Sequence, residues 1–229
     1  MTILLWAAVL PPLFLMWKIY KMDKIEREPI GLIIALIIGG AIACFPAGLI
    51  ESFLESNVLS RILDPSSVPY QVIMNFIIVA GAEEGFKYLV LKKITWNNRN
   101  FDYRFDGVIY AVATSLGFAA LENIMYVAEG GLAVALPRAL LAIPGHCIFG
   151  IFMGDYYGMA KQFSRYEDGS EKRCLRLAVL HPMLLHGFYD FCLSTGSDIF
   201  GIIFFIYVIV LDILAYKSIK KMASGDIKL

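Results

Sequence analysis

Seven residues in this sequence carry chemistry where none is expected. Glu83, Glu84 and Lys87 lie in Gly81-Ala-Glu-Glu-Gly-Phe-Lys87, and Glu122, His146, His186 and Asp190 occur in further apolar runs. An Asp, Lys or Arg at the centre of a membrane helix costs roughly 2.5–3.5 kcal/mol, so such groups point to function by default. Glu83 and Lys87 are i,i+4 neighbours and predict a pair. Glu84 is turned about 100° from Glu83, which predicts that it faces a cavity. A buried structural ion pair plus a lumen-facing acid would be the bland alternative, but one pair does not need two adjacent carboxylates. His186 and Asp190 are also i,i+4, a spacing that suits a carboxylate orienting an imidazole. His146 alone reads as a satisfied buried histidine and gains weight from its company. Asp155 and Asp212 read as boundary residues, and His181, before Pro182, as structural.

Two hydrolytic chemistries fit this set. In one, a divalent metal, Zn²⁺ above all, takes ligands from among Glu84, Glu122, His146 and His186, and a remaining glutamate is the general base. In the other, a glutamate activates water directly and a histidine donates to the oxyanion. No HExxH is present, which excludes the common zincin arrangement. Proton relays in transporters use the same residue types. The spans show no inverted duplication, however, and the charges concentrate in the middle helices. The last span has no interior lysine, which disfavours a retinal-type receptor.

The elements that must position these groups are membrane helices. The 229 residues are 59% hydrophobic and 17% charged, more apolar than one soluble core absorbs. The 20 basic and 20 acidic residues balance, giving no sign of a nucleic-acid partner. Four cysteines without a CxxC predict neither a disulfide scaffold nor a zinc finger. At about 20 apolar residues per crossing, the chain reads as an all-α, polytopic integral membrane protein. Its seven spans are 3–20, 30–50, 69–91, 107–127, 134–160, 174–194 and 199–216. Residues 1–229 form a single transmembrane domain whose catalytic helices are 69–91, 107–127, 134–160 and 174–194. The first run lacks a basic n-region and an A-x-A site, and reads as a retained span.

Of the 20 basic residues, 17 fall after span one, in the 92–105 and 161–176 segments, and in the tail. This bias predicts an outside N-terminus and a cytoplasmic C-terminus. Segment 49–63 carries apolar residues near a helical period and reads either as an amphipathic helix on the outer leaflet or as a connector. Gly150, Gly154 and Gly158 succeed His146 at four-residue steps and predict close helix approach, as do Gly81 and Gly85 beside the glutamates. Pro144 removes a helical hydrogen bond just before His146, and broken backbone at this depth predicts a wet internal pocket.

Glu83-Glu84-x-x-Lys87, Phe118-x-x-x-Glu122, His146-x-x-x-Gly150 and His186-x-x-x-Asp190, in order on four successive spans, together resemble the PrsW family of intramembrane proteases. That family is similar to the CAAX-prenyl endopeptidases and bacteriocin-self-immunity proteins. The resemblance covers nearly the whole chain. It implies a bacterial plasma-membrane enzyme, embedded in the lipid bilayer, that performs site-one cleavage of a single-span anti-sigma factor. An extracytoplasmic-function sigma factor is then released. By the same resemblance, Glu83, Glu84, Glu122, His146 and His186 are the catalytic set, Asp190 orients His186, and Lys87 pairs with a glutamate. The alternatives are a non-proteolytic member of the same fold and a proton-coupled transporter. One tension stands: counted along the spans, Glu83 and Glu84 lie roughly 20 Å from the outer boundary, the other site residues roughly 8–15 Å.

Overall fold

The computed structural model describes residues 2–229. Its regular elements are helices: α1 (Thr2–Tyr20), α2 (Ile30–Leu54), the short α3 (Ser60–Ile62) and α4 (Val68–Val72), α5 (Ala80–Thr95), α6 (Asp106–Pro137), α7 (Ile143–Phe163), α8 (Ser170–Ser194) and α9 (Asp198–Ser224). π-helical turns over Glu55–Leu59, Ile73–Val79 and Arg138–Ala142 join α2 to α3, α4 to α5 and α6 to α7. Four helical runs are long and apolar enough to cross a membrane: Ile3–Tyr20, Ile30–Ile62, Asp106–Phe163 and Asp198–Ser224. Residues 68–95 and 170–194 are helical too, and they carry most of the site's charges.

The run Asp106–Phe163 is folded back on itself. Gly131 has φ 67° and ψ −157°, a conformation only glycine adopts readily. It breaks α6 and lets the chain reverse, so that Gly107 meets Gly154 and Gly158. The first half of α6 is buried on every side, from Asp106 to Ala119, which its nearly unbroken apolar and small-residue sequence permits. α1, α2, α5 and α7 surround it, and α8 closes on α5 and α7 with α9 behind. The outward faces are apolar: Ile34, Ile38, Ile42 and Phe45 of α2, and Ile202, Phe205, Ile206 and Ile209 of α9, are half exposed or more. Exposed apolar belts of this extent require lipid.

The glycine groove on α7 is present. A Cβ at Gly154 would overlap Val108 Cα and the Gly107 carbonyl, and one at Gly158 the Arg104 carbonyl. Gly154→Ala should therefore force backbone apart and lower stability by about 1–3 kcal/mol, read as a drop in the unfolding midpoint in detergent. Gly81 and Gly85 do not behave as their spacing suggests. Gly85 has open space where a Cβ would be, and Gly81 would make only ordinary contact with Met183. The close approaches on that side are Gly40 to Thr114 and Gly117 to Ile37, between α2 and α6. Segment 49–63 is helical and continues α2 through the π turn. Asp155 pairs with Arg104 at 2.7 Å, and His181 packs against the rings of Phe152 and Tyr156.

Candidate active site between α5, α6, α7 and α8

The π turn Ile73–Val79 sets up the site. An extra residue per turn rotates the helix beyond it, and Asn75 anchors the turn by donating to the Gln71 carbonyl (2.7 Å) and to Ser194 Oγ on α8 (2.9 Å). Glu83, Glu84 and Lys87 then face α7 and α8. Lys87 Nζ donates to Glu83 Oε2 (3.0 Å), Glu84 Oε1 (2.8 Å) and His146 Nδ1 (3.1 Å), and lies 4.2 Å above the Phe118 ring. An ammonium only donates, so His146 Nδ1 accepts and its Nε2–H faces Glu122 Oε2 at 3.0 Å. Ser115 Oγ donates to the His146 carbonyl (2.7 Å) and fixes this stretch of α7 against α6. His186 lies between two carboxylates, Nδ1 at 3.0 Å from Glu84 Oε1 and Nε2 at 3.1 Å from Asp190 Oδ2. Phe149 stacks on the His186 ring at 4.8 Å.

All seven residues singled out from the sequence thus form one connected network. The i,i+4 pairs Glu83–Lys87 and His186–Asp190 are present. The expectation for Glu84 fails, however: it is fully buried and also pairs with Lys87, and it is Glu83, besides pairing as expected, that lines the cavity. Lys87 reaches three residues back along one turn as readily as four, and it takes Glu84 inward as its second partner. The apparent difference in depth also disappears, because Glu84 and His186 are in direct contact.

The network borders a cavity of about 610 Å³. Its polar wall is Glu83, Glu122, His146, His186 and Asp190; Met74, Val79, Leu141 and Phe149 supply apolar wall. Two further lining residues are ones that sequence reasoning misses. Arg138, which reads as an outer-loop charge, donates to Glu122 Oε2 (2.9 Å) and Asn123 Oδ1 (2.8 Å). Glu51, assigned by its spacing to the surface segment, lines the cavity from α2. The signal for Arg138 is its rarity, since only it, Arg61 and Lys87 fall outside the four basic segments. Arg138→Ala leaves Glu122 half-partnered and should cost about 1–3 kcal/mol, measured by thermal unfolding. Arg138→Lys should not restore it, because one ammonium cannot span both acceptors as the guanidinium fork does.

Comparison with known proteins decides the family. A family model described as "PrsW family intramembrane metalloprotease" matches residues 28–215. The chain belongs to the PrsW family. A protein named "Protease PrsW" from Oceanobacillus iheyensis is 37% identical over 221 residues, covering 96% of each chain. One of the same name from Clostridioides difficile is 33% identical over 93% of this chain and 89% of its own. The Bacillus subtilis protein of that name is 32% identical over 84% and 83%. No solved structure matches the chain. The protein is therefore a protease of the membrane.

Membership in PrsW, a metalloprotease family by its description, poses the question of metal directly. Glu83, Glu84 and His146 each offer a ligand atom, all within 4.8 Å of one another, and Glu84 Oε2 is buried without a hydrogen-bond partner. Oxygen and imidazole donors of this kind fit Zn²⁺. The grouping differs from the one expected: Glu122 and His186 pair with His146 and Glu84 but lie outside the three-donor cluster. The Lys87 ammonium already bonds to Glu83, Glu84 and His146, so a metal taken by these three would have to displace it.

Proposed function

We propose that this PrsW-family protease performs site-one cleavage of a single-span anti-sigma factor and so starts the release of an extracytoplasmic-function sigma factor. It would do so as a single seven-span domain in the bacterial plasma membrane, N-terminus outside. The observation that carries this reading is the cavity. Its lining runs from Glu83 and His186 to Glu51, Tyr126, Arg138 and Leu193, at helix ends opposite the basic 92–105 and 161–176 segments. A substrate would enter from the non-cytoplasmic side, as outer-face cleavage requires. An apolar wall facing a row of charged and imidazole groups suits an extended peptide drawn from a membrane helix.

In this reading Glu83 is the general base, because it is the member of the glutamate pair that meets the cavity. It takes a proton from water as the oxygen attacks the scissile carbonyl, then passes that proton to the leaving amine as the C–N bond breaks. Lys87 holds Glu83 and Glu84 in place, Glu84 and Asp190 fix His186, and Glu122 fixes His146. To donate to the oxyanion, His146 would release its Nε2–H from Glu122, or His186 its Nε2–H from Asp190. In the metal alternative, Zn²⁺ held by Glu83, Glu84 and His146 would displace Lys87 and supply Lewis-acid polarisation of that carbonyl, and the base would be a carboxylate outside the trio.

The test is co-reconstitution of the purified protein with a single-span anti-sigma protein tagged at both ends. The reading expects a cut that separates the outer tag from a membrane-retained fragment. An intact substrate alongside wild-type protein that cleaves another single-span protein would refute the substrate assignment.

A further inference from the structure

A second buried acidic cluster, built from none of the network's residues, lies beside the basic segments. Asp23 and Glu28, from the loop between α1 and α2, meet Asp106 at the start of α6. They are 4%, 3% and 1% exposed, and one carboxylate oxygen from each lies within 4.8 Å of the others. Among the described residues no salt bridge reaches any of the three. This is notable in a loop that also carries Lys21, Lys24 and Arg27. Part of the cluster is satisfied: Tyr110 donates its hydroxyl to Glu28 Oε2, and the backbone N–H groups of Asp102 and Tyr103 donate to Asp106 Oδ2 (3.1 and 2.7 Å). Asp23 Oδ2 is not. It is buried with no hydrogen-bond partner, on a residue that belongs to the same cluster.

Three buried carboxylates with no counter-cation can be ionised together only at a cost, and the unpartnered buried Asp23 oxygen adds a desolvation penalty. A cation bound by all three would remove both costs. The donors are all carboxylate oxygens, and their separation matches the coordination sphere of an ion with bonds of about 2.0–2.6 Å. We propose that Asp23, Glu28 and Asp106 form a second site that binds one hard divalent cation, Mg²⁺ or Ca²⁺, and clamps the α1–α2 loop to the start of α6. The tail shares this junction, since Asp226 Oδ1 accepts from the Phe105 N–H (2.8 Å) and the Arg104 N–H donates to the Ile227 carbonyl (2.9 Å).

The test uses the full-length protein in detergent, stripped with chelator and titrated calorimetrically with Mg²⁺ and, in parallel, with Ca²⁺. One saturable equivalent per chain is expected for at least one ion, together with a higher unfolding temperature and slower tryptic cutting after Lys24 and Arg27. Asp23→Asn and Glu28→Gln each replace a crowded carboxyl by an amide of the same shape and should fold. Each should weaken binding by about tenfold or more, roughly 1.4 kcal/mol. Glu83→Gln should bind as wild type does, which separates this site from the active-site network. Binding of neither ion, or undiminished binding by both cluster variants, overturns the site. A tryptic rate indifferent to the bound ion overturns the clamp.

Discussion

Lys87→Met should lower the stability of the folded protein by about 3–5 kcal/mol, the cost of breaking a buried ion pair from one side. Lys87 is fully buried, and the carboxylates it bridges, Glu84 and Glu83, are themselves 0% and 6% exposed. Removing the ammonium leaves Glu83 and Glu84 as adjacent like charges with no cation between them. His146 Nδ1 loses its donor as well, and the Phe118 ring its cation. The triple change Glu83→Gln, Glu84→Gln, Lys87→Met should recover most of that loss, because replacing a whole buried charge cluster is often close to neutral. Unfolding midpoints in detergent give both numbers. A Lys87→Met protein within about 1 kcal/mol of wild type, in the range of an exposed pair, would mean that Lys87 does not hold the glutamates.

The second large effect is on rate. Glu83→Gln should reduce cleavage about 10²–10⁴-fold, the usual contribution of a positioned general base. That corresponds to roughly 3–5 kcal/mol on the barrier. Its unfolding midpoint should change little, since Lys87 keeps its 2.8 Å bond to Glu84. Glu84→Gln should differ in kind. Glu84 is fully buried and holds both Lys87 and His186, so its loss should depress stability and activity together. Cleavage rates and melting curves on the same two preparations separate the roles. If Glu84→Gln were the variant that lost activity alone, the assignment of the two glutamates would be exchanged.

The helical runs are readable from the sequence because crossing a bilayer demands about 20 apolar residues, and few sequences meet that demand by accident. The pairs Glu83–Lys87 and His186–Asp190 are readable because helix geometry fixes neighbours three and four residues apart. Everything set by packing between helices lies outside that reach. Lys87 finds His146 59 residues away, and no local rule selects that partner. The inward position of Glu84 depends on how α5 is rotated after the π turn, and no residue in 73–79 announces that turn. Gly85 has the spacing of a packing glycine and packs against nothing, whereas Gly117 meets the Ile37 backbone. Arg138 and Glu51 read as surface charges because composition assigns them to connections. The reversal at Gly131 and the continuation of α2 bring both into the cavity wall. Asp23, Glu28 and Asp106 fall in or beside a polar segment, where acids draw no attention until the fold buries them.

The central claim is that the network around Lys87 is where this protease cuts. The direct measurement is cleavage of a single-span reporter in liposomes by wild-type protein and by Glu83→Gln, each at matched incorporation and with its unfolding midpoint recorded. The account predicts cleavage by wild type, a loss of at least about a hundredfold in Glu83→Gln, and nearly equal midpoints. Cleavage by Glu83→Gln at the wild-type rate would contradict it and place the chemistry elsewhere in the molecule.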